Sequence, residues 1–141
     1  MIEAPTRDDI ERIARSLVHA RQTVMDIVQA ELDGSRGDLL LIQRTLDSGV
    51  IDPESEYTIQ ALGLAFGKVF VNTEPDYDWW MISDEYGRDP AIRYLRSTLT
   101  FHPQDMLLKR IEAGERFDVV DLYDQLRTQL REIVEEGVDG A

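Results

Sequence analysis

The chain has 141 residues, of which 43% are apolar and none is cysteine; 28 acidic and 15 basic residues give a net charge of −13. This composition predicts one packed domain over residues 1–141 and excludes disulfides and thiolate metal sites. The negative charge opposes binding to nucleic acids and anionic membranes, and it favours a basic protein partner. No apolar run approaches the roughly 20 residues of a membrane span, and the N-terminus lacks a secretory signal core, so we expect a cytoplasmic protein.

Three helices are predicted in the first half of the chain. Apolar residues recurring at steps of three and four indicate a first helix over residues 7–32. A second, shorter helix is predicted over Asp38–Asp47. Asp52 followed by Pro53 is a helix-start signal, so the third helix is expected from residue 54 to about residue 68.

The apolar pattern then changes to a period of two, which predicts three short strands in an antiparallel meander. The strands are expected at residues 69–71, at 79–84 and from 91 to 95 or as far as 100. Because proline cannot donate a backbone hydrogen bond, Pro90 is expected to lie just before the third strand.

Two helices complete the predicted fold. Pro103 opens a helix over residues 104–113, and Asp118 caps a long amphipathic helix. The glycine-containing tail from about residue 137 is expected to fray. The elements together predict an α+β fold with three N-terminal helices, a three-stranded antiparallel meander and two C-terminal helices.

Residue types that support catalysis or metal binding do not cluster in the sequence. His19 and His102 are isolated from each other and from other metal-ligand patterns, and zinc sites need several ligands. The serines lack the strand–turn–helix setting of a hydrolase nucleophile, and Gly34-Ser35-Arg36-Gly37 lacks the lysine of a phosphate-binding loop. We therefore expect no metal, no cofactor and no catalytic residue, and an enzyme ranks third among the hypotheses.

Aromatic residues are concentrated in the predicted meander, where five tyrosines and tryptophans fall between positions 77 and 94. Neighbouring side chains on a strand point to opposite faces, so one of Trp79 and Trp80 can enter the core. The other is exposed or is covered by a helix, a dimer partner or a ligand. Two interpretations stay open: helices cover both faces of the sheet, or one face is a recognition surface.

The leading hypothesis is a non-enzymatic protein-interaction module. In its sharper form it is an immunity-type antagonist of a basic partner, because complementary charge speeds association. The alternative is a small-ligand domain with a pocket between the meander and a helix. A homodimer through the tryptophan face or the first helix is a further expectation. The residues expected to bind a partner or ligand are Trp79, Trp80, Arg93, Arg96 and His102.

Residues 59–68 read Ile-Gln-Ala-Leu-Gly-Leu-Ala-Phe-Gly-Lys, and they lead into the tryptophan pair, a proline-led helix and an amphipathic closing helix. Gly63 and Gly67 share one face of the predicted helix, which favours close packing against a sheet or another helix. Over roughly residues 52–126, this arrangement resembles small bacterial domains of unknown function that pair a Leu-Gly-x-x-x-Gly helix with a tryptophan-bearing meander. The resemblance implies a bacterial source and this fold, and it offers no activity to transfer.

Overall fold

A computed structural model describes residues 1–140 of the chain. In this range the fold is α+β, with five α-helices and a four-stranded antiparallel sheet. The helices are α1 (Arg7–Val28), α2 (Asp38–Asp47), α3 (Glu56–Thr73), α4 (Pro103–Glu112) and α5 (Val119–Glu136). The strands are β1 (Ile2–Glu3), β2 (Tyr77–Asp84), β3 (Gly87–Tyr94) and β4 (Thr100–Phe101), paired in the order β1-β2-β3-β4. No helix within residues 1–140 is long and apolar enough to cross a bilayer.

The predicted helix-start signals have mixed outcomes. Asp52-Pro53 forms a turn in which the Asp52 carbonyl accepts the Ser55 N–H, and α3 begins only after this turn. Helix α2 has the predicted bounds, α4 begins one residue earlier than predicted, and Asp118 caps α5 by accepting a hydrogen bond from the Asp121 N–H at 2.9 Å. Helix α1 ends at Val28 and not at residue 32, because Gln29 adopts a left-handed backbone with φ of 56° and donates its N–H to the Met25 carbonyl. A left-handed glutamine has no sequence signal comparable to a glycine cap.

The prediction of a strand at residues 69–71 is wrong. These residues belong to the last turns of α3, which runs from Glu56 to Thr73 and starts two residues later than predicted. Val69 and Phe70 are fully buried. A short run of β-branched and aromatic residues is common to strands and to buried helices, so the composition did not distinguish them.

The sheet is larger than the predicted three-stranded meander. Strand β3 begins at Gly87 and includes Pro90, which was expected to precede the strand. The Pro90 carbonyl accepts hydrogen bonds from outside the β2–β3 pair, so its backbone faces the outer edge of β3, where a missing N–H breaks no ladder bond. The segment expected to continue toward Thr100 turns back and returns as β4, and Ile2–Glu3 adds the edge strand β1.

The core lies between one face of the sheet and the helices. Its fully buried large side chains include Ile42, Ile59, Phe66, Phe70, Ile92, Leu107 and Tyr123. Gly63 and Gly67 provide the predicted close approach: a Cβ at Gly63 would lie 2.5 Å from the Pro103 carbonyl oxygen, and one at Gly67 would lie 3.1 Å from Cδ1 of Ile92. Helix α3 thus packs tightly against both α4 and the sheet.

The C-terminal tail begins after α5 ends at Glu136. The Thr98 N–H donates to the Asp139 carbonyl at 3.1 Å, so the tail lies beside the turn between β3 and β4. The fraying expected from residue 137 stays a prediction.

Candidate functional site

The two tryptophans lie on opposite faces of β2. Trp79 is paired with Ile92 and packs against the hydrophobic core. Trp80 is paired with Ala91 and does not belong to the core or to the side chains packed against it. Both residues are half-buried. The divergence of the two indoles follows from the alternation of side chains along a strand.

We name the face that carries Trp80 the open face. Strand alternation and register place on it Ile2, Asp78, Trp80, Ile82, Asp84, Asp89, Ala91, Arg93 and Thr100. Helix α3 contacts the opposite face, where the Phe70 ring packs edge-on against Tyr77 and Phe101 at centroid distances of 5.0 and 5.2 Å. Within residues 1–140, the core that joins sheet and helices therefore lies on the face opposite Trp80.

Two arginines flank the Trp80 indole. The guanidinium carbons of Arg93 and Arg96 lie 4.5 and 5.6 Å from the ring centroid, within the range of cation–π attraction. Arg93 also donates from Nε to the Ser97 carbonyl at 2.6 Å and from Nη2 to the Arg96 carbonyl at 2.8 Å. These bonds fix the Arg93 guanidinium, so the indole rests against an immobilised cation. Trp80 is thus a preordered aromatic side chain on a helix-free face.

A concavity of about 620 Å³ opens beside Trp80 and is lined in part by Asp76, Asp78, Leu95 and Arg96. Asp76 and Leu95 have left-handed backbones, with φ of 73° and 47°, and the Leu95 N–H donates to the Asp76 carbonyl at 2.8 Å. A left-handed conformation costs a non-glycine residue about 1–2 kcal/mol. Leu95 is also 42% exposed. Asp76 and Leu95 are therefore bonded to each other beside this concavity, and the Leu95 side chain is exposed at its rim.

Carboxylates surround the apolar part of the open face. Asp78, Asp84 and Asp89 are exposed, and none forms an ion pair with another residue between 1 and 140. Asp78 accepts the Trp79 N–H and Asp84 accepts the Tyr86 N–H, each at 2.8 Å. These local bonds orient two of the three carboxylates. The open face thus combines an apolar centre with an acidic rim.

His102 lies at the outer edge of β3. Its Nδ1 is 2.9 Å from the Pro90 carbonyl oxygen, to which Gln104 Nε2 also donates at 2.9 Å. Since a carbonyl only accepts, His102 must hold its proton on Nδ1 to make this bond. The side chains of His102 and Gln104 therefore satisfy the edge of β3 at Pro90, where β4 no longer pairs with it.

The structure brings together three of the five residues predicted to bind: Arg93 and Arg96 contact Trp80. Trp79 lies on the core side and His102 at the sheet edge. Sequence reasoning missed the acidic rim. The signal for it was present in β2, where alternation places Asp78, Trp80, Ile82 and Asp84 on one face.

A polar cluster on the helix-covered face joins β1, α1 and β3. Arg88 bonds Asp9 Oδ2 at 2.6 Å and Glu3 Oε1 at 2.8 Å. Asp9 is buried and also accepts the Thr6 N–H at 2.8 Å, which closes the capping box of α1. The hydrogen bonds from Arg88 and Thr6 hold the pKa of the Asp9 carboxyl well below its ordinary value of 3.8. This geometry makes the cluster a structural clamp.

The other histidine, His19 of α1, contacts residues of α3. His19 Nε2 lies 2.9 Å from Thr58 Oγ1, and its ring is 4.9 Å from that of Tyr57. Between residues 1 and 140, no three His, Asp or Glu side chains are grouped as a metal ion requires.

The fold and the glycine-mediated packing of α3 define a small α+β domain. The family described as "Domain of unknown function (DUF3806)" matches residues 38–123. The match spans more than half of the chain, from α2 into α5, so the chain belongs to this family. The predicted resemblance to an uncharacterised domain family is thereby confirmed.

A solved structure shares the fold. A crystal structure from Bacteroides thetaiotaomicron VPI-5482, determined at 1.50 Å resolution, has a TM-score of 0.79 and 23% sequence identity to this chain. The similarity covers 89% of this chain and 47% of that one, so this chain spans about half the length of its structural relative. No curated protein matches the chain.

Proposed function

We propose that this chain is a non-enzymatic protein-interaction module that binds a basic protein through the open face of its sheet. One observation carries the proposal: Trp80, held by Arg93 and Arg96, stands on a helix-free face whose rim is formed by unpaired aspartates. In its sharper form, the proposal is an immunity-type antagonist that covers a basic surface of its target.

The centre of the open face has the composition of an interface anchor. Trp80, Ile82 and Ile2 are half-buried and share this face. Tryptophan and arginine are enriched among the residues that dominate binding energy, and a side chain already held in place loses little entropy on binding. Tyr86, at the tip of the β2–β3 hairpin, is 88% exposed and extends the aromatic surface.

The negative charge of the rim favours a positively charged partner. A net charge of −13 produces a negative field around the whole molecule. The unpaired carboxylates of Asp78, Asp84 and Asp89 add to it at the rim of the open face, whereas Arg93 and Arg96 are the positive charges beside Trp80. Complementary fields raise association rates and suppress wrong partners. A second copy of this chain is a poorer partner than a basic protein, because both copies would carry a net charge of −13.

Site-specific crosslinking tests the proposal. A photo-reactive benzoylphenylalanine replaces Ile82 on the open face or, as the control, exposed Glu132 on α5. We expect the Ile82 position to capture one basic protein from a lysate of the source organism and the Glu132 position not to capture it. The captured protein is then purified and titrated against wild type, Trp80→Ala and Asp84→Lys.

We expect Trp80→Ala to weaken that binding at least about tenfold. We expect Asp84→Lys to slow association and to reduce its salt dependence. Equal affinity of all three proteins, equal capture at both positions, or capture of a second copy of this chain would overturn the proposal.

The small-ligand hypothesis has one supporting observation, at a different place from the predicted residues. Gln104 is 6% exposed, and its Oε1 has no hydrogen-bond partner within residues 1–140. It lines a cavity of about 200 Å³ between α1, α3 and β3, together with Ser16 and Gln60. A buried acceptor without a donor is costly, so a small N–H or O–H donor would be stabilised there.

Nuclear magnetic resonance titration with acetamide and N-methylurea tests this second candidate. We expect saturable shifts of the Gln104 side-chain amide and of the backbone amides of Ser16 and Gln60, and loss of the Ser16 and Gln60 shifts in Gln104→Met. Shifts confined to other residues, or a bound water as the sole occupant, would overturn it.

A further inference from the structure

We propose that a second pocket, between α1 and α3, binds a small organic anion. The charged end of the ligand lies between Arg21 and Lys68, and its apolar part lies against Leu17, Leu32 and Ala65. The pocket is formed by helices and the loop after α1, so this site is separate from the open face.

The pocket has a volume of about 230 Å³. Helix α1 contributes Ala14, Leu17 and Arg21, whose spacing places them on one side of the helix. Helix α3 contributes Ala65 and Lys68, about one turn apart. Residues 32–34 and 38 close the remaining side.

The floor of this pocket is apolar and well formed. Leu32 and Ala65 are 6% and 5% exposed, and Leu17 packs against the hydrophobic core. A small-molecule site needs apolar walls and a few placed polar groups. Its volume is below the roughly 300 Å³ at which drug-sized sites begin, so the expected ligand is a compact aromatic or short-chain acid.

The pocket is lined by two cations, Arg21 and Lys68, and by two carboxylates, Asp33 and Asp38. Arg21 and Lys68 are exposed, and neither forms an ion pair within the part of the chain that the structure describes. Lys68 Cε would lie 3.7 Å from a Cβ on Gly34, so the lysine stem runs beside the closing loop.

Two carboxylates also line the pocket, but the loop already uses them. Asp38 accepts the N–H groups of Asp33 and Gly34 at 3.0 and 2.7 Å. Asp33 accepts the Ser35 N–H at 2.9 Å. The side chains of Arg21 and Lys68, in contrast, form no hydrogen bond within residues 1–140, so both are available as donors. Donors of this kind select a carboxylate, sulfonate or phosphate group.

The net charge of the chain does not prevent this binding. Charges separated by more than about 8 Å in solvent are largely screened at physiological ionic strength. Contact with Arg21 and Lys68 is short-range, and the apolar floor adds burial that does not depend on charge. The ligand is therefore expected to need both its anionic group and its apolar part.

Phenylacetate is the probe, and neutral phenylacetamide is its matched control. Each is titrated into the isotope-labelled full chain and followed by nuclear magnetic resonance. We expect phenylacetate to give saturable shifts around Leu17, Gly34 and Lys68, with affinity at least about tenfold above that of phenylacetamide. Equal binding of the two probes, no saturable binding, or shifts confined elsewhere would overturn the proposal.

Variants separate the roles of charge and shape. We expect Lys68→Gln and Arg21→Gln each to weaken phenylacetate binding at least about fivefold, whereas Lys109→Gln on α4 leaves it unchanged. Ala14→Phe places a large side chain in this pocket and should abolish binding. Thermal unfolding confirms that each variant is folded. Wild-type affinity in the Lys68 and Arg21 variants, or an equal loss in the Lys109 variant, would contradict the assignment.

Discussion

Gly67 of α3 lies against the ring of Pro103: a Cβ at this glycine would stand 2.7 Å from both Cβ and Cγ of the proline. One turn earlier, Gly63 faces the backbone of Pro103 and Gln104 in the same way. The Leu-Gly-x-x-x-Gly stretch of this chain is therefore the surface that receives the first turn of α4. Its glycines act through packing, since neither touches the candidate site around Trp80.

Replacing Gly67 by alanine should destabilise the fold. The added methyl group meets Pro103 and Ile92 in a closely packed interior, and overpacking costs about 1–3 kcal/mol, more than the ~1 kcal/mol gained in helix propensity. Gly37→Ala is the matched control, because the nearest atom to its Cβ is Ser35 Oγ at 3.5 Å. Urea unfolding measures both variants. A Gly67→Ala protein as stable as wild type would contradict the packing account.

The Asp9–Arg88 contact should make stability depend on pH. The folded protein holds the pKa of Asp9 below 3.8, so this contribution is fully present above 3.8 and is lost progressively as the pH falls from 3.8 through the lower pKa of the folded state. In Arg88→Met, urea unfolding should show lower stability at neutral pH and a shallower decline as the pH falls below about 4. Arg7→Gln is the control, since Arg7 and Glu11 form an exposed pair. A wild-type pH slope in Arg88→Met would rule out this role.

The two tryptophans should differ in their effect on stability. Trp79 packs against the core, so Trp79→Ala is expected to cost about 2–3 kcal/mol. Trp80 lies on the open face, and Trp80→Ala is expected to cost about 1 kcal/mol or less. Chemical unfolding of the two variants checks the difference. If Trp80→Ala were as destabilising as Trp79→Ala, Trp80 would be a structural residue.

The chain is predicted to unfold as one domain. A single hydrophobic cluster includes Ala20 of α1 and Leu130 of α5, so these distant segments share one core. Differential scanning calorimetry should therefore show one transition whose calorimetric and van 't Hoff enthalpies agree. Two resolved transitions would show that residues 1–141 contain more than one cooperative unit.

The sequence was informative where a local signal sets the structure. Asp118 predicted the start of α5 because its carboxylate bonds the Asp121 N–H. The sequence was misleading where tertiary packing determines the structure. Val69 and Phe70 resemble strand residues, but both are buried in α3, where the Phe70 ring packs between Tyr77 of the sheet and Tyr123 of α5. Gln29 ended α1 by a left-handed turn that glutamine rarely adopts.

The candidate site was predictable only in the part that strand alternation determines. Strand alternation separates Trp79 from Trp80 without any tertiary information. The flanking of Trp80 by Arg93 and Arg96 depends on the β2–β3 register and on the turn after β3, which local pattern does not specify. The second pocket depends on α1 packing against α3, so Arg21 and Lys68 gave no signal in the sequence.

Hydrogen exchange of the non-covalent complex with the basic partner that crosslinking identifies tests the central claim most directly. Binding through the open face predicts slowed exchange in β2 and β3, centred on Trp80, with α5 unchanged, and loss of this protection in Trp80→Ala. Protection confined to the helices, with β2 and β3 exchanging as in the free protein, would contradict the account.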